Sequence, residues 1–346
     1  MILDGIKLPC QNFCGARLRR LHMAESILSY ADFSEASLNF ANFRSSKMEQ
    51  CDFSRADLTG ADLSLANLEH SQFDSAILSH TNFRGANLTG AHFSYANLSH
   101  ADFSEAILDG AIFTNATIEN AIFDKASMQR VNLNHQSIKS TSFKSAILTE
   151  SSLEGIHVSD NTSMQNAIMT SCNLSYSDFE KINLAFVTFE NAQILSAYLC
   201  GCNLQGANLS QADLSDSHLR HADLNNSILR KAILDNADIS GADLTNADLR
   251  GAYLTHTTLY HANLYKVKAD QHMFNSAIFD SDDWTHWEIE YPNITNSNEA
   301  SQVENTSILA DLDWIPGDDG SRINWCELKI YEKLCTDFEE SDEPYE

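Results

Sequence analysis

The chain has 346 residues, with 48 acidic against 22 basic side chains and a net charge of −26. That balance excludes the usual electrostatics of nucleic-acid and anionic-membrane binding, which draw on positive charge, and favours basic partners or plain solubility. No run approaches the ~20 consecutive apolar residues of a membrane span, so no membrane insertion is expected.

The first residues, MILDGIKLPCQNFCG, lack a basic segment followed by a long apolar run, so no secretory signal is read there. From Phe13 to Val158 every fifth residue is apolar, through thirty positions. After one extra residue the count resumes at Met164 and runs for twenty-four more positions to Phe279. Two places before nearly all of them stands Ala, Ser, Thr, Cys or Val; the exceptions are Gln11, Leu21, Gln136, Ile156, Ile182 and His272. Helix and strand periods of 3.6 and 2 do not produce a five. A small and a large apolar residue two apart both point inward on a short extended segment, because strand side chains alternate faces. The other three residues are polar and turn-prone, so each pentapeptide reads as one side and one corner of a coil. Pro is absent from residues 10–291, so no backbone N–H is lost from the stack.

The phenylalanines set the number of sides. Within Phe13–Val158, Phe fills eleven of fifteen alternate core positions and none of the other fifteen. A ten-residue Phe period needs an even number of sides. Four sides oppose two Phe columns across a narrow bore with smaller apolar side chains between them, which fills a square section. The reading is an all-β solenoid, a quadrilateral β-helix of ~13 coils and ~65 Å at the usual strand spacing.

The stretch 155–164, GIHVSDNTSM, holds the extra residue, and a kink or bulged loop is expected around Ser159–Thr162. Past it Phe179 and Phe189 fall on the other alternation. The rhythm ends near Trp284, dividing the chain into a repeat domain, 1–284, and an acidic segment, 285–346, with 16 acidic and 3 basic residues. Within it, NEASQVENTSILADLDW and SRINWCELKIYEKLCTDF read as helices, the second N-capped by Ser321, forming an α-helical C-terminal cap over the last coil. The final DFEESDEPYE reads as solvated.

The sequences ANLTGAHFSYANLSHADFSEA (86–106) and GADLTNADLRGAYL (241–254) resemble the A(D/N)LXX motif of pentapeptide-repeat proteins. The resemblance implies a right-handed quadrilateral β-helix acting through protein–protein contact. Some members of that family mimic B-DNA and protect DNA gyrase, dimerising through a C-terminal helix; gyrase is therefore the alternative partner. No enzyme activity is expected, because a triad or a phosphate loop needs a pocket the repeat does not supply. No cofactor or metal is expected either. His80 and His100 stack one coil apart and Cys10, Cys14 and His22 are near neighbours, but neither set reaches the ligand count of a metal site. The eight cysteines read as free thiols, Cys51, Cys172 and Cys202 filling small-residue slots.

The leading expectation is a bacterial interaction scaffold delivered into host cells without a classical signal peptide, binding a host protein as a monomer or a tail-mediated homodimer. EESDE resembles the acidic translocation block of type IV-secreted effectors. LDWIPGDD is similar to tryptophan-acidic peptides that dock on kinesin light chains, although Ile315 stands where an acidic residue usually follows Trp. The candidate partner-binding residues are Asp311, Asp313, Trp314, Asp318 and Asp319. A second candidate is an acidic stripe made of Asp32, Asp52, Asp223 and Asp243.

Overall fold

The five-residue rhythm closes into a square coil. The computed structural model describes residues 2–159, 161–270 and 273–279, with the short strands Ile289–Glu290, Ile315–Pro316 and Arg322–Ile323. In Ala101–Glu105, Ala101 and Phe103 point inward and are fully buried, Asp102 points outward, and Ser104–Glu105 make the corner. Each corner is a β-turn in which the next small residue donates to the large one: Ala101 N–H to Leu98 O at 3.0 Å, Ala36 N–H to Phe33 O at 3.1 Å. The last corner residue takes positive φ, as the third residue of a type II turn requires. The glycines occupy some of these corners, but most are held by other residues, among them Glu35, Tyr95 and His100.

Four corners return the chain to its start. Parallel bridges join each outward residue to the one twenty places on, beginning at Ile2↔His22 and Lys7↔Ile27. Successive coils are then stitched by backbone bonds such as Phe33 N–H to Asp52 O at 2.7 Å and Asp52 N–H to Ala31 O at 3.0 Å. The ladder begins before Phe13: Leu3 and Leu8 already occupy the large inward slot, partly buried against the core.

Inside, Phe lies on two opposite sides as the ten-residue period requires. Rings in one column stack 4.7–5.3 Å apart with planes within 13°. Across the bore the two columns meet edge to face at 5.6–6.5 Å and 68–88°. Both are preferred aromatic geometries, adding about 0.5–1.5 kcal/mol per pair beyond area burial. Polar residues in the small slot have a second task. Ser46, Thr81 and Ser151 hydroxyls donate to carbonyls of the preceding coil at 2.7–2.9 Å, and the Cys51, Cys172 and Cys202 thiols do the same at 2.8–3.1 Å. Burial pushes these three thiols up to about 12.

Two irregularities follow one another. At Gln136 a long amide sits in the small slot and its Nε2 donates to Phe113 O at 2.6 Å. Thr141 makes the equivalent bond, to Ile118 O at 2.9 Å, with a much shorter side chain. The longer reach holds the coils apart here. The N–H groups of Asn115 and Ile118 find no backbone acceptor among the described residues, whereas their equivalents one coil earlier, Tyr95 and Leu98, bond to Thr114 O and Thr117 O. One coil later the extra residue is absorbed at the corner between Val158 and Thr162. The bridge spacing becomes 21 for one coil, Ser142↔Ser163 through His157↔Asp178, and returns to twenty at Ser163↔Asn183. Pairing continues on all four sides across the extra residue. Phe179 and Phe189 now sit on the sides that Leu and Met held before.

No helix occurs among the described residues. At the start of the helix expected from Ser321, Arg322–Ile323 is instead extended and pairs antiparallel with Ile315–Pro316. Gly317, Asp318, Asp319 and Gly320 have turn-forming composition, which works against a helix starting at Ser321. The rest of both expected helices, and the cap they would form, lie outside the described residues. The ladder itself extends to Ile289–Glu290, which pairs parallel with Val267–Lys268.

Core slots and corners should differ sharply in tolerance. Phe103, stacked on Phe83 and Phe123, cannot collapse inward, so Phe103→Ala should cost about 3–5 kcal/mol. Glu105 reaches only an exposed Arg84 at 3.6 Å, and Glu105→Ala should change stability by less than about 0.5 kcal/mol. Ser104 is not an open surface position: it is buried and donates to Asp102 Oδ1 at 2.5 Å. Equal melting temperatures for Phe103→Ala and Glu105→Ala would refute the slot assignment. In native-state hydrogen exchange, the amides of Asn115 and Ile118 should exchange much faster than those of Tyr95 and Leu98; equal protection would show the gap to be closed in solution.

Candidate protein-binding surface

Because the interior is filled, anything bound along the sides of this rod meets outward and corner side chains. Asp and Asn are the commonest outward residues, and their role is mainly local. Their Oδ1 accepts from the backbone two residues on, as in Ser34 N–H to Asp32 at 2.9 Å, Ser54 N–H to Asp52 at 2.8 Å and Asn225 N–H to Asp223 at 3.0 Å. Asp243 accepts both the N–H and the hydroxyl of Thr245, at 3.0 and 2.6 Å. These Asx turns pre-set the corner that follows.

The four acidic-stripe candidates do not come together. Asp32 bridges Asp52 and Asp223 bridges Asp243, so each pair stacks as expected. The first pair belongs to the ladder through Gln72 and His92, the second to the ladder through Asn203 and Asn263. These ladders lie on opposite sides of the square, near opposite ends of the repeat. Asp311, Asp313, Trp314, Asp318 and Asp319 lie outside the described residues. His80 and His100 are stacked rings 4.7 Å apart at 9°. Cys10 and Cys14 are exposed thiols. Among the described residues no three His, Cys, Asp or Glu side chains are grouped to hold a metal ion.

Several of the largest side chains on the outside stand at the positive-φ corners. Tyr30, Phe40, Leu65, Tyr95, Tyr176 and Phe186 are each more than half exposed. Some lie across a glycine one coil on: a Cβ at Gly60 or Gly206 would stand 2.6 Å from the Phe40 or Phe186 ring. Tyr95 and Tyr176, at 66% and 62% exposure, share one corner column through Asn115, His135 and Gly155. They are four coils, about 19 Å, apart. Between them the gap at Gln136 opens as a cleft of ≈ 550 Å³, lined by Asn115, Thr117, Glu119, Asn134, His135 and Lys139 among others. On the same side His157 Nδ1 meets Asp178 at 2.9 Å. Two projecting tyrosines flanking a polar cleft, with backbone donors that lack a backbone acceptor, make a candidate recognition surface: aromatic anchors would supply area and the cleft directional hydrogen bonds. Residues read as tolerated exceptions in the repeat, Gln136 above all, are the ones that build it.

The best-organised charge cluster is elsewhere. Asp248, nearly buried, receives Arg250 Nε at 2.8 Å, Arg250 Nη2 at 2.6 Å and Arg230 Nε at 2.6 Å. Burial alone would raise its carboxyl, but the hydrogen bonds from Arg250 and Arg230 outweigh it and hold the group at about 2. It clamps two coils together.

A filled four-sided bore with a patterned exterior defines a β-solenoid rod. The chain belongs to the pentapeptide-repeat family, eight matches to pentapeptide repeats together spanning residues 12–124 and 167–268. The unmatched 125–166 contains both irregularities. Members of this family are non-enzymatic repeat scaffolds with a right-handed β-helical fold. Similar solved structures include HetL, a pentapeptide repeat protein involved in heterocyst differentiation regulation in Nostoc sp. strain PCC 7120. It is 26% identical over 73% of this chain and 90% of that one, TM-score 0.22. QnrB1, a plasmid-mediated fluoroquinolone resistance protein, is 18% identical over 81% and 90%, TM-score 0.29. A pentapeptide repeat protein of the Arabidopsis thaliana thylakoid lumen is 31% identical over 36% and 68%, TM-score 0.13. No match was found among curated protein sequences.

The Asp248 clamp gives a pH signature. Its folded value lies below the ordinary 3.8, so its stabilisation is present above about pH 4 and is lost as pH falls towards 2. Asp248→Asn should lower stability by about 2 kcal/mol at pH 7, and the deficit should shrink below pH 4. A deficit that stays constant from pH 7 to pH 2.5 in denaturant titrations would rule the charge effect out.

Proposed function

We propose that this protein is a binding scaffold whose partner is a protein, engaged at the corner that carries Tyr95, the cleft at Gln136 and Tyr176. The observation that carries the reading is the coincidence of exposed aromatic anchors with the break in the coil-to-coil ladder on one corner. In this reading the repeat domain, 1–284, presents the surface and the acidic segment, 285–346, carries a second element around Trp314. The setting proposed is that of a bacterial protein translocated into a host cell and bound to a host protein. What supports it is the acidic EESDE end and the Trp314 peptide with its flanking Asp311, Asp313, Asp318 and Asp319. A second reading, a gyrase-binding DNA mimic, is supported by an acidic rod: residues 1–284 hold 32 acidic against 19 basic side chains, half of the chain's net −26.

The two settings separate in one set of assays. Under the first, the full chain retains a specific host protein that Tyr95→Ala/Tyr176→Ala loses at least tenfold, with melting temperature unchanged because both side chains are exposed. A reporter fused to the chain should also reach host cytosol in a secretion-dependent manner. Under the second, the chain alters gyrase supercoiling or its inhibition, and no host capture survives washing. Capture unaffected by the tyrosine pair would remove the corner from the binding site.

A further inference from the structure

Among the described residues, the first coil of the β-helix is uncovered. Leu3, Ile6, Leu8, Phe13 and Leu18 are only partly buried, whereas their equivalents two coils on are fully covered, and Ile2 is 75% exposed. In the body, outward residues donate to the preceding coil, as Ile27 N–H does to Ile6 O and Asp32 N–H to Gln11 O. The equivalent N–H groups of Lys7, Asn12 and Arg17 have no backbone acceptor among the described residues. An uncovered edge of this kind is a template for another segment.

Its charge is opposite to that of the remainder. Residues 2–20 hold Lys7, Arg17, Arg19 and Arg20 against Asp4 alone, in a chain whose net charge is −26. All four basic side chains are exposed, and none has an ion-pair partner within 4 Å among the described residues. Arg20 stands 6.0 Å from the Phe40 ring, on the same end. The chain's last ten residues, DFEESDEPYE, carry six acidic side chains and no basic one. Two first coils facing each other would oppose like charges, so a symmetric head-to-head pair is disfavoured.

We propose that the basic first coil receives the acidic residues 337–346 of a second copy, joining rods head to tail. Attraction between a +3 end and a −6 segment (both counts from sequence) supplies the specificity, and the open ladder supplies backbone partners. The contact is heterologous, so further copies can add to each free end. It is independent of the corner surface described above.

Sedimentation velocity of the full chain tests it. In 50 mM NaCl the wild-type protein should associate over 1–100 μM, and 500 mM NaCl should weaken that association at least tenfold. Two full-length variants should each be monomeric: K7E/R17E/R19E/R20E, and D337N/E339Q/E340Q/D342N/E343Q/E346Q. Mixed together, they should give a dimer and nothing larger, because one retains an intact tail and the other an intact head. Circular dichroism melts matching wild type establish that both variants fold. A wild-type chain that stays monomeric at 100 μM overturns the proposal; a tail docked on its own rod would give that result. Association that survives either variant, or a mixture that stays monomeric, overturns it equally.

Discussion

A side of five residues has room for one inward pair and one turn, and the turn closes only when its last residue takes positive φ. Everything else in the rod follows from that geometry. Residues with a Cβ are strained there by about 1 kcal/mol or more, yet Glu, Arg, His, Tyr and Phe all occupy the position. The strain is tolerated because the corner is over-determined. The turn hydrogen bond, the Asx bond from the preceding outward residue, and coil-to-coil bonds on both sides all act on the same few atoms. The same constraint sets Tyr30, Phe40, Tyr95, Tyr176 and Phe186 at corners, where their side chains project freely.

Much of this was legible in the residues. The period of five gave the side, the Phe period of ten gave the parity, and the absence of Pro gave continuous pairing; the bridge register of twenty agrees with all three. The role of Asp and Asn was not legible as surface chemistry, because a carboxylate committed to an Asx turn looks, in sequence, like one free to bind. Asp32 and Asp223 share a slot but not a side, and only the count of coils between them reveals it. Ser104 is likewise polar in sequence and buried in the fold.

The proposed binding surface was visible only as a set of exceptions. Gln136 and Ile156 break the small-residue rule in consecutive coils on one side. A broken rule does not say whether the structure tightens, bulges or opens. The outcome turned on reach: Gln136 makes the bond that Ser, Thr and Cys make elsewhere, but with a longer arm, so the ladder parts. The extra residue at Ser159–Thr162 had the milder result, since a corner can lengthen without disturbing the sides that meet there.

One pentapeptide is a quarter turn. Gain or loss of a single unit would leave every core slot filled while rotating the whole downstream exterior by ninety degrees relative to the upstream one. The Phe pairs of the two halves bear that relation: before Gln136 they lie on one pair of opposite sides, and Phe179 and Phe189 lie on the other. A fold of this type can thus re-aim half of its exterior in one genetic step, with no new packing to solve. The seam where the halves meet, loosened at Gln136 and lengthened past Val158, is where such a step would leave its scar.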